Sequence, residues 1–327
     1  MDAMRGWIAT GVLVACMTAA CGSGSVRGGH TTPRTATRSF DPTGVAFSSR
    51  DDGVVVGGRT IATTSDGGRS WTVRRHGAQP LAAVTIVPGG TVIASIGRCT
   101  ETCARPGGLL ASTDGGRTWS VRSRAPLYQP SFATPDFGWA LLAAGPNAIR
   151  LASTRDGGRR WNRLPDPCPS TAPIAESIAA LDRRSAELLC VSGNAATDME
   201  GKALLRTRDA GRAWRTIAAV APVGAPPAGV GPHGLPNVGV MPGMTVRPDG
   251  HGWLWADRGW MVATRGGRRW HVVSREFQPD VDFVRSLDFL DGRTGFALAW
   301  RSGATRLLRS RDGGRRWTVV HAWSSRS

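Results

Sequence analysis

Short apolar stretches alternate with glycine-rich polar turns along most of the chain, in a pattern typical of β-strands. In the last unit of this pattern, four short segments with alternating apolar residues predict strands at 286–289, 295–300, 305–309 and 317–320. The same order occurs near the start of the pattern, at 45–47, 53–56, 60–63 and 71–73. Each unit therefore predicts a small antiparallel sheet of four strands.

An eight-residue segment lies between the third and fourth predicted strands and recurs six times. Its copies lie at 64–71, 112–119, 154–161, 207–214, 263–270 and 310–317. The tryptophans that end them are 48, 42, 53, 56 and 47 residues apart. Four strands repeated at this period predict an all-β fold: a single β-propeller over residues 44–323, with six four-stranded blades. Seven blades are the alternative, if the N-terminal segment or residues 218–243 supply further strands.

The repeated segment has the composition of a tight turn. Five copies share a hydroxyl residue, an aspartate two positions later, a glycine before the last three residues and a final tryptophan, whereas the copy at 263–270 lacks the hydroxyl and the aspartate. The hydroxyl and the carboxylate can bond to backbone groups of their own turn, and the tryptophan can pack on a neighbouring sheet. We therefore expect a structural role for Asp66, Trp71, Asp114, Trp119, Asp156, Trp161, Asp209, Trp214, Trp270, Asp312 and Trp317.

This octapeptide resembles the Asp-box, S/T-x-D-x-G-x-x-W, of the sialidase-like or BNR repeat family, in which the motif is structural. Units with phenylalanine and Gly-Trp before the octapeptide, as at Phe132 and Gly138-Trp139, also resemble photosystem II assembly-factor-like repeat proteins. The second resemblance extends over nearly all of residues 44–320 at the level of repeats. It implies a noncatalytic propeller that binds protein partners.

The N-terminus has the features of an export signal. Residues 7–20 are an apolar run of 14 residues after Arg5, too short for a membrane-spanning helix, which needs about 20. Thr18-Ala19-Ala20-Cys21 resembles the lipobox of bacterial lipoproteins, which implies acylation of Cys21. We expect a signal peptide at 1–20, a flexible tether at 21–43 and a lipid-anchored protein on the extracytoplasmic face of the cell membrane. A plain signal peptide and a lipobox ending at Cys16 are the alternatives.

Export would place the four remaining cysteines in an oxidising compartment. Three pairings are open, and proximity in the sequence favours Cys99 with Cys103 and Cys168 with Cys190. A zinc site is the alternative, but no histidine lies near Cys99 or Cys103 in the sequence. We expect neither a metal nor a cofactor.

The two ends of a propeller built on this pattern differ in chemistry. The first-to-second and third-to-fourth strand turns share one end and are short, whereas the long connections share the other. A ligand site is expected among the long loops, because function concentrates in loops on rigid scaffolds. Its candidate residues are Arg98, Arg105, Tyr128, His233, Glu276 and Asp280. The alternative is that these loops only cap the central channel.

The basic charge of the chain favours the short-turn end. The chain carries 41 Lys+Arg against 24 Asp+Glu, a net charge of +17, and Lys202 is the one lysine. The six octapeptides hold 13 arginines and 5 aspartates, which gives +8 at that end. Arginines there could attract anionic lipid or envelope polymer, or could simply be solvated. An arginine excess with one lysine is typical of a GC-rich coding genome, and we expect no nucleic-acid partner.

No set of catalytic residues stands out in the sequence. A sialidase uses a tyrosine nucleophile, and the one tyrosine, Tyr128, is not accompanied by that family's Arg-Ile-Pro signature. The loop carboxylates show no pairing; they are Glu101, Asp198, Glu200, Glu276 and Asp280. We therefore expect a monomeric, noncatalytic binding or scaffold protein for an envelope protein or glycan. A glycoside hydrolase with an unrecognised carboxylate pair is the alternative.

Overall fold

The computed structural model is built from β-strands. It describes residues 40–99, 103–145, 148–192, 200–221, 234–236, 239, 242–256, 261–267, 269–274 and 283–324. Within these ranges there are 22 strands, which form five antiparallel sheets. The predicted signal peptide and most of the predicted tether, including Cys21, lie outside the described residues.

The strands follow one another along the chain and pair mainly with their sequence neighbours. The first sheet contains β1 (Gly44–Phe47), β2 (Gly53–Thr64), β3 (Thr72–Ile86), β4 (Val92–Cys99), β5 (Cys103–Ser112) and β6 (Ser120–Ser123). The second contains β7 (Leu127–Phe132), β8 (Gly138–Gly145), β9 (Ala148–Thr154) and β10 (Asn162–Arg163). The third contains β11 (Ile174–Ala180), β12 (Ala186–Val191), β13 (Lys202–Thr207) and β14 (Arg215–Val220). The fourth contains β15 (Gly243–Val246), β16 (His251–Trp255), β17 (Met261–Arg265) and β18 (Trp270–Ser274). The fifth contains β19 (Phe283–Phe289), β20 (Gly295–Arg301), β21 (Ala304–Ser310) and β22 (Thr318–Ser324).

The prediction of six separate blades, or of seven, was wrong: the described sheets, and so the blades, number five. The cause lies in two long strands of the first sheet. The first half of β2 pairs with β1 and its second half with β3, while β3 pairs with β2 through 72–76 and with β4 through 81–86. β3 is one continuous strand, with no loop between its two halves. Two sequence repeats therefore share one sheet. This sheet carries the repeated turns at 64–71 and 112–119, and each other sheet carries one.

The sheets form a closed ring. The first strand of each sheet is its innermost, and β1, β7, β11, β15 and β19 each contact the sheet that comes before. Side chains link neighbouring inner strands: Asp288 Oδ2 accepts from Phe47 N at 2.7 Å, and Ser131 Oγ accepts from Ala180 N at 2.9 Å. The fold is therefore an all-β single propeller with antiparallel blades, four-stranded except for the merged first sheet.

The hydrophobic core lies between the sheets. Trp139, Trp253 and Phe296 are among the largest fully buried side chains. The Trp253 ring stacks on Phe289 of the next sheet at 3.7 Å, and burying aromatic rings of this size dominates the energetics of such an interface. Alternation along each strand sends one face to each neighbouring sheet. The core therefore stabilises the ring of sheets. Functional side chains can then lie at the two ends of the propeller.

Candidate functional site

The five complete repeated turns share one hydrogen-bond pattern. In the turn at 154–161, Thr154 Oγ1 donates to Asp156 Oδ1 at 2.9 Å and accepts from Gly158 N at 2.9 Å. Trp161 Nε1 donates to the carbonyl of Gly158 at 3.0 Å. The same hydroxyl contacts recur in the turns beginning at Thr64, Ser112, Thr207 and Ser310. The turn therefore satisfies its own polar groups within eight residues.

The aspartates of these turns are engaged in local bonds. Ser70 Oγ and Ser70 N both donate to Asp66, and these bonds, with that from Thr64, hold the pKa of its carboxyl far below its usual value. Bonds from Thr118 and Ser112 lower the pKa of Asp114 in the same way. Because each carboxylate is bound within its own turn, this geometry gives it a structural task and no reacting partner.

The turn at 207–214 departs from the pattern in one respect. Ala210 takes the place of a glycine and adopts a φ of 64°. Trp214 Nε1 has no hydrogen-bond partner among the described residues. The hydroxyl and aspartate bonds of Thr207 and Asp209 persist, so they are sufficient to form the turn.

The turn at 263–270 closes differently, because it lacks the hydroxyl and the aspartate. Thr264 Oγ1 donates to the carbonyl of Arg269 at 2.6 Å, and Thr264 pairs directly with Trp270. Five residues, 265–269, separate this pair, whereas the first turn is closed by Thr63 and Thr72 with eight residues, 64–71, between them. The fourth sheet therefore has a tighter and more basic turn than the other sheets.

Short turns of both kinds meet at one end of the ring. In each of the five sheets, a backbone bond joins a first-to-second strand turn to a repeated turn, such as Gly157 N to Asp136 O at 2.8 Å and Gly313 N to Arg293 O at 2.9 Å. We call this the turn end. The opposite end receives the long connections and is called the loop end. The expectation of a compact end and a long-loop end agrees with this arrangement.

Half of the six predicted ligand residues lie outside the described part of the chain, namely His233, Glu276 and Asp280. The loop carboxylates Glu101 and Asp198 also fall outside it. Arg98 and Arg105 are opposite each other on β4 and β5, and Cys99 is opposite Cys103, but only the backbone of these four residues is described. The Cys99–Cys103 disulfide therefore stays a prediction.

A disulfide joins Cys168 and Cys190 at the loop end, as predicted. Cys190 is fully buried on β12 and pairs with Ala175 of β11 and Ala203 of β13. Cys168 lies on the connection from the second sheet to the third. The disulfide therefore fixes that connection beside the start of β11.

Tyr128 lies near the start of β7 and is half-buried. Its ring packs on a buried cluster that includes Phe137, Trp139 and Ala175. Burial raises the pKa of its hydroxyl above the ordinary value. A hydroxyl with a raised pKa is a poor nucleophile, because nucleophilic catalysis requires an activated group.

Glu176 occupies a β-bulge on the inner strand of the third sheet. Ala175 pairs with Cys190 and Ser177 pairs with Leu189, so Glu176 is the extra residue between them. Bulges commonly re-aim a side chain next to a functional site. Burial, with a further contribution from the charge of Glu200, raises the pKa of Glu176 to about 7. This carboxyl group therefore changes charge near neutral pH.

Glu200 and Lys202 are buried at the same end of the third sheet, with exposed fractions of 6% and 1%. Lys202 Nζ donates to the carbonyl of Glu200 at 3.0 Å and to the carbonyl of Gly239. Burying charges is costly unless they are bonded or paired. Glu200 was expected in a loop without a partner carboxylate; it is instead buried and acts on the pKa of Glu176. We call Glu176, Glu200 and Lys202 the acidic cluster.

Arg285 provides a contrast on another inner strand. It is the extra residue of a bulge in β19, between Val284 and Ser286. Its Nη1 donates to Asp41 Oδ1 at 2.7 Å and also to Pro42 O and Thr305 Oγ1. These bonds join β19 to the segment before β1, so this bulge closes the ring rather than forming a site.

Sequence reasoning missed Glu176 and Lys202. Residues 174–180, IAESIAA, show ordinary strand composition, and nothing in them marks the bulge. Lys202 did carry a signal, since it is the one lysine in an arginine-rich chain and precedes the apolar residues of β13. Among the described residues, no group of three or more His, Cys, Asp or Glu side chains is placed to hold a metal ion.

Several solved structures are similar to this chain at low sequence identity. YCF48 from Cyanidioschyzon merolae is 17% identical, with 87% of this chain and 85% of that chain covered and a TM-score of 0.49. YCF48 bound to D1 peptide is 19% identical, with coverage of 86% and 83% and a TM-score of 0.33. An α-L-arabinanase from Penicillium chrysogenum, complexed with arabinobiose, is 13% identical, with coverage of 88% and 95% and a TM-score of 0.57.

At 13% identity, the likeness to the arabinanase concerns the fold and establishes no specific function. No family model matches the chain, and no curated protein matches its sequence. In the part of the chain that the structure describes, no helix has the length and apolar character needed to cross a membrane.

Proposed function

We propose that this protein is an exported, lipid-anchored, noncatalytic binding propeller, and that its loop end holds a protein or glycan of the cell envelope through the acidic cluster. The lipobox-like sequence before Cys21 supports export and lipid anchoring. The single observation that carries the binding role is Glu176, a largely desolvated carboxyl group on a bulge of an inner strand, under the electrostatic influence of Glu200. Perturbed carboxyl groups of this kind concentrate at functional sites.

The chemistry of the cluster favours a ligand with a cation or with hydroxyl donors. A carboxylate accepts hydrogen bonds from ammonium, guanidinium and hydroxyl groups, and its bonds to charged donors are the stronger ones. Lys202 is held on two backbone carbonyls and thereby braces the connections that contain Glu200 and Gly239. A basic side chain of a protein, or the hydroxyl groups of a glycan, would stabilise the charged form of Glu176.

Binding of envelope material to immobilised protein tests this role. We expect the wild type to retain a protein or glycan fraction, and Glu176→Gln to retain about tenfold less, since a hydrogen bond to a charged group contributes about 1.5–3 kcal/mol. Arg117→Ser, at the opposite end, serves as the matched control. Equal retention by wild type and Glu176→Gln would contradict the role of the acidic cluster.

The lipid anchor is tested separately. Cys21→Ser removes the residue that would be acylated, so the variant should leave the membrane fraction for the soluble fraction. Stable membrane association depends on the acyl chains, as the transfer of each methylene contributes about 0.8 kcal/mol. A variant that stays with the membrane would show that the proposed lipid anchor is wrong. That outcome would not bear on the binding site.

A glycoside hydrolase is the second candidate, and the Glu176–Glu200 pair is the observation in its favour. An acid with a raised pKa beside a second carboxylate is the arrangement that glycosidases use. The fold neighbour crystallised with arabinobiose suggests arabino-oligosaccharides as test substrates, together with sialosides. We expect no turnover above that of Glu176→Gln. Sugar release by the wild type that disappears in Glu176→Gln would make the protein an enzyme.

A further inference from the structure

A cleft opens at the turn end between the fourth and fifth sheets. The acidic cluster lies at the opposite end, the loop end. The cleft has a volume of about 190 Å³. His251, Arg265 and His271 line it from the fourth sheet, and Asp312 and Arg315 line it from the last repeated turn. Pockets for drug-sized ligands are commonly about 300–1,000 Å³, so this cleft suits one small group rather than a whole chain of sugars.

The strand register explains why these side chains share the cleft. His251 pairs with Arg265, and Ala263 pairs both with Trp253 and with His271, so their side chains lie on one face of the fourth sheet. That face packs on the fifth sheet, where Trp253 Nε1 donates to Gly313 O at 3.1 Å. The cleft thus lies in the interface between two rigid sheets.

The altered turn of the fourth sheet supplies the charge. Where the other copies have a hydroxyl and an aspartate, this copy has Ala263 and Arg265. The change replaces a negative charge with a positive one at the same position of the repeat. Arg265 and His271 are both exposed, so they are accessible from solvent.

The neighbouring acidic groups are already bonded. Asp312 accepts from Ser310 Oγ at 3.0 Å and from Arg316 N at 2.9 Å. Asp249 contacts His251 Nδ1 at 3.1 Å and Arg247 Nε at 3.4 Å.

The His251 ring forms one wall of the cleft, and its neighbours hold it in position. The ring stacks roughly parallel to Trp253, and its Nδ1 contacts Asp249. The Nε2 side of the ring lies against Gly292, where any side chain would meet the ring. Arg265, Arg315 and Asp312 together give the cleft lining a net charge of +1.

We propose that this cleft binds a tetrahedral oxyanion, a phosphate or sulfate group, between Arg265, Arg315 and the imidazoles of His251 and His271. Guanidinium groups match such oxyanions in geometry and charge, and an imidazole N–H adds a donor. The site is independent of the acidic cluster and of the proposed function.

Titration calorimetry with sodium sulfate at constant ionic strength tests the site. We expect saturable binding of sulfate to one site at pH 6. The absence of saturable binding at pH 6 would overturn the proposal.

Variants locate the binding. Arg265→Ser, Arg315→Ser and His271→Asn should each weaken sulfate binding about tenfold at pH 6. All three residues are exposed, so the variants should fold, and circular dichroism checks this. Arg117→Ser is the control for Arg315→Ser, because both arginines follow the second glycine of their turns. Unchanged affinity in the cleft variants, or equal weakening by Arg117→Ser, would show only screening of a basic surface.

The source of the anion is distinguished with a second pair of ligands. Inorganic phosphate and glycerol phosphate are titrated under the same conditions. Tighter binding of glycerol phosphate supports the site as a receptor for a phosphate ester on a larger molecule. Equal affinity supports a site for the free ion, and failure of both ligands to bind overturns the proposal.

Discussion

The two ends of this propeller satisfy their polar groups in different ways. At the turn end, a hydroxyl, a carboxylate and two backbone amides bond to one another within eight residues, as from Thr154 to Trp161. At the loop end, Lys202 binds a carbonyl 37 residues away, at Gly239, and Glu176 responds to the charge of Glu200. The turn end is thus built from local bonds that repeat, and the loop end from distant contacts that occur once.

This difference indicates which end offers polar groups to a ligand. Groups that are bonded within their own turn are unavailable to a ligand, whereas the acidic cluster keeps a carboxyl group that changes charge near neutral pH. The exception at the turn end is the altered turn at 263–270, where the hydroxyl and aspartate bonds are missing and a basic cleft is present. One candidate site therefore lies at an altered turn, and the other lies at the loop end on a bulge of an inner strand.

Removal of the disulfide should give the largest effect on the loop end. Replacing Cys168 and Cys190 with alanine frees a loop of 22 residues, and the loss of loop-closure constraint predicts a loss of about 3 kcal/mol in the free energy of unfolding. Urea denaturation with and without reductant measures it. The double variant should no longer respond to reductant by this amount. An unchanged wild-type midpoint in reductant would mean that the loop end does not depend on this link.

Thr154→Val tests the local bonds of the turn end. The side chains have nearly the same shape, but the variant leaves Gly158 N and Asp156 Oδ1 without the buried hydroxyl, at a cost of about 2 kcal/mol. Urea denaturation reports the change. Thr43→Val, which removes a hydroxyl outside the repeated turns, is the comparison. Loss of less than about 0.5 kcal/mol would mean that the hydroxyl is not what holds the turn.

Glu176→Gln should sharpen the comparison through its pH dependence. The pKa of Glu176 is raised from 4.5 to about 7 in the folded protein, so the folded state binds more protons than the unfolded state between these values. The contribution of Glu176 to stability is therefore favourable at low pH and is lost as the pH rises to about 7. The full shift corresponds to about 3 kcal/mol, and because Glu176 is partly exposed the variant should gain about 1–2 kcal/mol relative to wild type on going from pH 4 to pH 8. A difference that does not vary with pH would contradict the desolvated state of this carboxyl group.

Ala263→Ser should give the smallest effect. It restores the hydroxyl to the altered turn but not the aspartate, and the strands there close one pair further along, at Thr264 and Trp270. We expect a change within about 0.5 kcal/mol in the same denaturation experiment. A gain as large as the loss in Thr154→Val would mean that the hydroxyl alone specifies the turn.

The sequence predicted what depends on local bonds. Residues within one repeat were enough to predict three features. These are the six turns, the four strands of the last unit and the separation of short turns from long loops. The number of sheets could not be predicted in this way, because nothing between Thr72 and Ile86 marks whether the chain breaks or continues as one strand. The structure shows that it continues.

The candidate site could not be predicted from residues within one repeat, because it also depends on contacts between distant parts of the chain. The bulge at Glu176 depends on how β11 pairs with β12, and the burial of Glu200 and Lys202 depends on residues brought together by the ring. The Cys168–Cys190 pair was accessible from proximity in the sequence, with 22 residues of separation. Sequence spacing therefore located the end of the molecule but not the residues of the acidic cluster.

The central claim, that the loop end binds the envelope ligand, is tested most directly by photocrosslinking in intact cells. A photoreactive residue is placed at Tyr128, on the loop end, or at Val121, which is 58% exposed on the outer strand β6. We predict an adduct from position 128 that is lost when Glu176→Gln is added, and none from position 121. Equal adducts from both positions, or an adduct from position 128 that survives Glu176→Gln unchanged, would contradict the account.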